Sequence, residues 1–124
     1  MTVIITSLLS ILLLSFHLAD DIVRGFEPGQ LSTIVGLLLM VGWLYGTLVL
    51  AGKKSGYIVL LVFSTLGFGV PVIHMTGAGL VGGRIANSAG MFFWTWTLIA
   101  MGVTTIFSAI LAARGLWSLQ HQSR

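Results

Sequence analysis

Every carboxylate in the chain falls within one short stretch, Phe16-His17-Leu18-Ala19-Asp20-Asp21-Ile22-Val23-Arg24-Gly25-Phe26-Glu27-Pro28-Gly29. If a helix runs as far as Arg24, then His17, Asp20, Asp21 and Arg24 stand at i, i+3, i+4 and i+7 and share one face. Gly25 and Pro28 would end that helix just beyond them. Imidazole nitrogen beside carboxylate oxygen suits a divalent ion such as zinc, iron or copper. The same pair can also move a proton near ambient pH.

A second imidazole, His74, closes another apolar run. At a rise of about 1.5 Å per residue, His17 lies about 22 Å along its helix from Thr2 and His74 about 26 Å from Tyr57. Both helices start from the same side, so the two rings are expected at similar depth. The candidate metal ligands are therefore His17, Asp20, Asp21 and His74, with Arg24, Glu27 and Arg84 as ion-pairing or gating charges. A purely structural reading competes with this one. In it Asp20 and Arg24 form an ordinary i, i+4 pair at a helix end, Asp21 and Glu27 are solvated, and the histidines are interfacial. Polar groups at membrane depth favour function, although these sit at the end of a span rather than at its centre.

The elements that must carry these side chains are set by composition. Of 124 residues, 56% are hydrophobic and 7% are charged, against roughly 25% charged in ordinary soluble domains. The mean hydropathy is +1.05. The charges fall between long apolar runs and not within them, so lipid is the expected solvent. A net charge of +3 and a pI near 10.0 do not indicate a nucleic-acid partner, because the six basic residues are scattered over several loops and form no basic face. With no cysteine, disulfides, thiolate metal sites and thiol redox chemistry are excluded.

A helix needs about 20 apolar residues to cross a hydrocarbon core of about 30 Å. Four segments meet or approach that length: Thr2 to Ala19, Leu31 to Ala51, Tyr57 to Met75 and Met91 to Ala113. Turn chemistry and charge separate them, in Glu27-Pro28-Gly29, Gly52-Lys53-Lys54-Ser55-Gly56 and the glycine-rich Gly77 to Gly90. The first segment is expected to stay in the protein as a span. No Lys or Arg precedes it, and cleavage before Asp20 would put His17 where a signal peptidase prefers Ala. The expected architecture is an all-α integral membrane protein, a four-helix transmembrane bundle forming a single membrane domain over residues 1–124.

Orientation follows from Lys and Arg. With both termini on one side, that side holds Lys53, Lys54, Arg114 and Arg124, and the other holds Arg24 and Arg84. This favours cytoplasmic termini in an inner or plasma membrane, and it puts the carboxylates outside. Tyr57 and Trp117 are placed as anchors at the inner boundary and Trp94 and Trp96 at the outer one, while Trp43, in mid-span, is expected to pack against neighbouring helices. Gly42-Trp43-Leu44-Tyr45-Gly46 has the GxxxG spacing of close helix contact. Gly67, Gly69 and Pro71 predict a bend or an unwound turn one turn below His74. Thr95, Thr97, Thr104, Thr105 and Ser108 are expected to bond back to helix carbonyls or to bridge helices. The stretch Gly77 to Gly83 has no phosphate-cradling spacing.

In size and four-span plan the chain resembles the small multidrug resistance exporters, which carry a carboxylate well inside the first span. Thr2 to Phe16 has none, so the resemblance is one of architecture and assigns no residue a role. Three functions follow in order of expectation. The first is a small cation-binding or proton-coupled transport protein, with a divalent metal ion as its cofactor, using the outer cluster. The second is an accessory or assembly subunit of a larger membrane complex, or a homo-oligomer, acting through helix packing within the lipid bilayer. The third is an intramembrane enzyme acting on a lipid or quinone, placed last because no nucleophile is paired with a base.

Overall fold

A computed structural model describes residues 1–25, 30–76 and 91–122. Four helices follow in chain order: α1 (Thr2–Arg24), α2 (Gln30–Leu48), α3 (Lys54–Thr76) and α4 (Met91–Gln122). Three of them, α1, α3 and α4, are long and apolar enough to cross a membrane, and α2 contains a shorter apolar stretch, Thr33–Leu48.

The boundaries differ from the hydropathy segments for local reasons. Helix α1 continues past Ala19 to Arg24, where Gly25 takes a left-handed conformation (φ 72°) and its N–H donates to the carbonyls of Asp21 and Ile22, capping the last turn. Hydropathy ends a span at its first charges, but backbone hydrogen bonding does not. Helix α2 stops at Leu48, short of Ala51, and α3 begins at Lys54, ahead of Tyr57. Between them Gly52 turns with φ 76°, and a Cβ on Gly56 would run into the Leu50 carbonyl. Helix α4 runs on to Gln122, well past Ala113. Gly115 does not interrupt it, since its bare backbone lies against the Tyr57 ring. Nor does α3 unwind at Gly67, Gly69 and Pro71, for it is helical through to Thr76. Pro71 instead packs on α4, where a Cβ added to Gly102 would lie 3.3 Å from its ring.

Helix α4 packs closely against α1 and α3, and α2 lies more lightly on α1 and α3. Trp94, Leu98 and Met101 of α4 form the apolar core with Leu13, Leu14 and Val70. Beside that core the interior is polar: Ser7, Ser10, His17, Asp21, Thr47, Ser64, Thr97, Thr105 and Ser108 are all buried. The outside carries exposed Leu31, Leu38, Ile73, Phe92 and Trp96, far more apolar surface than a soluble monomer shows. Some buried hydroxyls return their protons to the helix, as Thr105 does to the Met101 and Gly102 carbonyls, or bridge helices, as Ser7 and Thr47 do at 2.7 Å; Thr95 and Ser108, expected to do the same, make no hydrogen bond through their hydroxyls, nor does Ser64.

The GxxxG face of α2 meets α3. A Cβ on Gly42 would stand 3.1 Å from Phe63, and one on Gly46 would strike Val59. Gly69, by contrast, has nothing within 4 Å. Gly46→Ala is therefore expected to cost about 1–3 kcal/mol through overpacking, whereas Gly69→Ala leaves stability unchanged or raises it by up to about 1 kcal/mol. Unfolding of the two variants in detergent micelles checks the contrast, and equal effects would refute this packing.

Candidate functional site

The last two turns of α1 present His17 and Asp21 at i, i+4 on the side facing α3 and α4, where both are buried, at 2% and 6% exposure. His74 comes from the last turn of α3. The His17 and His74 Nε2 atoms lie 3.3 Å apart. Asp21 Oδ2 lies 3.5 Å from the first and 3.9 Å from the second. Two nitrogens and one oxygen thus converge from two helices, and among the described residues this trio is the group able to hold a metal ion.

Helix α4 fixes the orientation of both α1 side chains. The Trp94 indole N–H donates to Asp21 Oδ1 at 2.9 Å, leaving Oδ2 turned to the histidines. Thr97 donates its hydroxyl proton to the Trp94 carbonyl at 3.0 Å, so its oxygen faces His17 Nδ1, 3.4 Å away, as an acceptor. That pattern places the His17 proton on Nδ1 and leaves Nε2 with a lone pair aimed at the cluster. The Trp94 ring also stands 5.4 Å from the His17 ring and 5.2 Å from the His74 ring, edge-on to the latter.

Of the four predicted ligands, His17, Asp21 and His74 come together and Asp20 does not. Asp20 lies one residue round the helix, where its Oδ2 accepts from Arg24 Nε at 2.6 Å. The single face expected for His17, Asp20, Asp21 and Arg24 is thus two adjoining stripes, 17–21 buried and 20–24 half-buried beside it. Glu27 and Arg84 lie outside the described residues.

Trp94 departs from the interface-anchor position that its place near the span end predicts: it is 1% exposed and bonded to the buried carboxylate. Trp96, two residues on, is exposed as an anchor should be. The available signal was the i, i+3 spacing of Trp94 and Thr97, which puts both on one face, but only helix order reveals that this face meets α1.

A cavity of about 200 Å³ adjoins the trio, lined by side chains of α1, α2 and α3, with His17, Asp21 and His74 on its wall. Comparison with known protein families, curated proteins and solved structures finds no match.

Loss of the Trp94 N–H leaves Asp21 short of its one indole donor. Trp94→Phe is expected to destabilise the bundle by about 1–3 kcal/mol, whereas Trp96→Phe changes stability by less than about 0.5 kcal/mol. Denaturant unfolding followed by circular dichroism compares the two, and an equal response would count against the Trp94–Asp21 bond.

Proposed function

We propose that the protein is a four-span membrane protein that holds one divalent transition-metal ion, zinc by preference, at its outer end through His17 Nε2, Asp21 Oδ2 and His74 Nε2. The observation that carries this reading is the size of the ligand triangle. Three atoms each about 2.1 Å from one ion lie about 3.4 Å apart at tetrahedral angles and about 3.0 Å apart at octahedral ones. The separations of 3.3 and 3.5 Å match the tetrahedral spacing, and the 3.9 Å between His74 Nε2 and Asp21 Oδ2 closes by about 0.5 Å when an ion binds. Two histidines and a carboxylate are a recurrent set of three protein ligands for zinc that keeps a fourth position open.

The surrounding contacts support the same reading. A ligating histidine usually donates its other N–H to an acceptor, which fixes its tautomer, and Thr97 stands in that place for His17. Trp94 does the corresponding service for the carboxylate. With the ion absent, a proton on His74 Nε2 can bridge to the His17 lone pair. Binding of the ion then requires that proton to move to Nδ1 or to leave.

The inner half of the bundle favours an ion that is held over one that is conducted. The space that leads inward from the trio is lined by apolar side chains, which offer an ion no ligands, and the Ser7–Thr47 bond ties α1 to α2. For topology, α2 is 19 residues long, about 28 Å, and it returns the chain between α1 and α3, so we count it as the fourth crossing. Lys53, Lys54 and Arg114 are exposed at the end opposite the trio. By the positive-inside rule that end is cytoplasmic, which gives cytoplasmic termini in an inner or plasma membrane and a site at the outer mouth.

Elemental analysis of protein purified with zinc and dialysed is expected to find about one ion per chain. His17→Ala, Asp21→Asn and His74→Ala abolish retention, Asp20→Asn keeps it, and Trp94→Phe weakens affinity by about 10–100-fold. Zinc uptake into liposomes stays at the level of empty vesicles. Absence of metal from the wild-type protein, or its equal retention by all three ligand variants, would overturn the reading.

A further inference from the structure

The trio is the polar end of a longer space. On α3 the cavity wall runs from Phe63 through Gly67 and Val70 to His74, successive turns of one face that span about 16 Å along the axis. Apart from the two histidines and Asp21, the lining is leucine, valine, phenylalanine, tryptophan and glycine. The space exists because Gly36 contributes no side chain to it and because α2 lies only lightly on its neighbours, while the place of a Gly67 side chain is taken by Trp43 and Thr105. A volume of about 200 Å³ drawn out over about 16 Å is one hydrocarbon chain wide, too narrow for the paired chains of a phospholipid.

Charge defines what belongs at the polar end. Two neutral imidazoles, one carboxylate and a divalent ion leave one net positive charge. Three protein ligands leave a fourth tetrahedral position, and the cavity is the space that the three ligating residues share. The complement is a single negative charge on oxygen at the tip of an apolar chain. We propose that the cavity binds a long-chain fatty acid. Its carboxylate occupies the open position of the metal, and its chain runs down beside α3 to Trp43 and Phe63, whose rings stack at the lower end with centroids 6.1 Å apart. This binding rests on the metal reading above, since without the ion Asp21 would repel the head group.

Trp43 and Trp94, each 1% exposed, stand at the lower end of this space and beside its head, and they report its occupancy. In a Trp96→Phe/Trp117→Phe background reconstituted in phospholipid nanodiscs, zinc-loaded protein is titrated with 9,10-dibromostearic acid, and zinc content is measured on the same sample. Saturable quenching of tryptophan fluorescence is expected. It should be at least about ten-fold weaker in zinc-free protein and equally weak for a dibromoalkane, which lacks the head group. Gly36→Phe and Leu66→Phe, two independent ways of filling the space, should abolish it. Zinc held without saturable quenching overturns the fatty-acid proposal alone, as does quenching that is indifferent to both filling variants or to zinc. A wild-type protein that holds no zinc overturns the metal reading, and this proposal with it.

Discussion

A carboxylate taken out of water and placed among apolar helices must be met by hydrogen bonds and opposite charge, because isolated it is too costly to keep ionised. Asp21 is in that position, 6% exposed near the end of α1, and that end of the bundle is arranged around it. One oxygen takes the Trp94 N–H. The other faces two imidazoles, both within 4 Å. Its neighbour Asp20, one residue away, is compensated by Arg24 within its own helix. Two adjacent aspartates therefore have different standing: one is settled locally, and the other draws three helices together.

That demand accounts for the packing order. The closest interfaces are those of α4 with α1 and α3, the helices that contribute Trp94, His17 with Asp21, and His74. Small residues permit the approach, as where the Gly67 backbone admits Trp43 and Thr105 and the Gly102 backbone admits Pro71. Helices in lipid have little hydrophobic drive between them and are held by close van der Waals contact and interhelical hydrogen bonds. The buried hydroxyls and the apolar exterior are the inverse of a soluble core and agree with that balance. Helix α2 makes none of the trio's bonds and packs most lightly. The space between it and the other helices is the consequence.

Much of this was legible in the residues themselves. Long uncharged runs separated by glycine, proline and charge marked four helices, and the spacing of His17, Asp20, Asp21 and Arg24 gathered the polar groups at one end of the first. Equal depth of His17 and His74 followed from helix rise alone. What the residues could not show was lateral order. Whether α1 stands beside α3, and which face of α4 looks at Asp21, depends on packing among all four helices, and no single period encodes it. Hence Trp94 reads as an interface anchor until α4 is docked, and Asp20 reads as a ligand until the 20–24 stripe is seen to lie beside the buried one. Helix ends were misplaced for a simpler reason. Hydropathy responds to charge, while the helix obeys backbone caps, ending where Gly25 turns and running on through Gly115, where Tyr57 packs against it.

Whether two imidazole nitrogens and one carboxylate oxygen share an ion is read directly by zinc K-edge X-ray absorption on the zinc-loaded protein. The expected spectrum shows a four-coordinate ion with two nitrogens at about 2.0–2.1 Å and the remaining bonds to oxygen at about 2.0–2.2 Å, together with the outer-shell scattering of two imidazole rings. A spectrum of six oxygen neighbours without imidazole scattering, or one left unchanged by His74→Ala, would contradict that coordination.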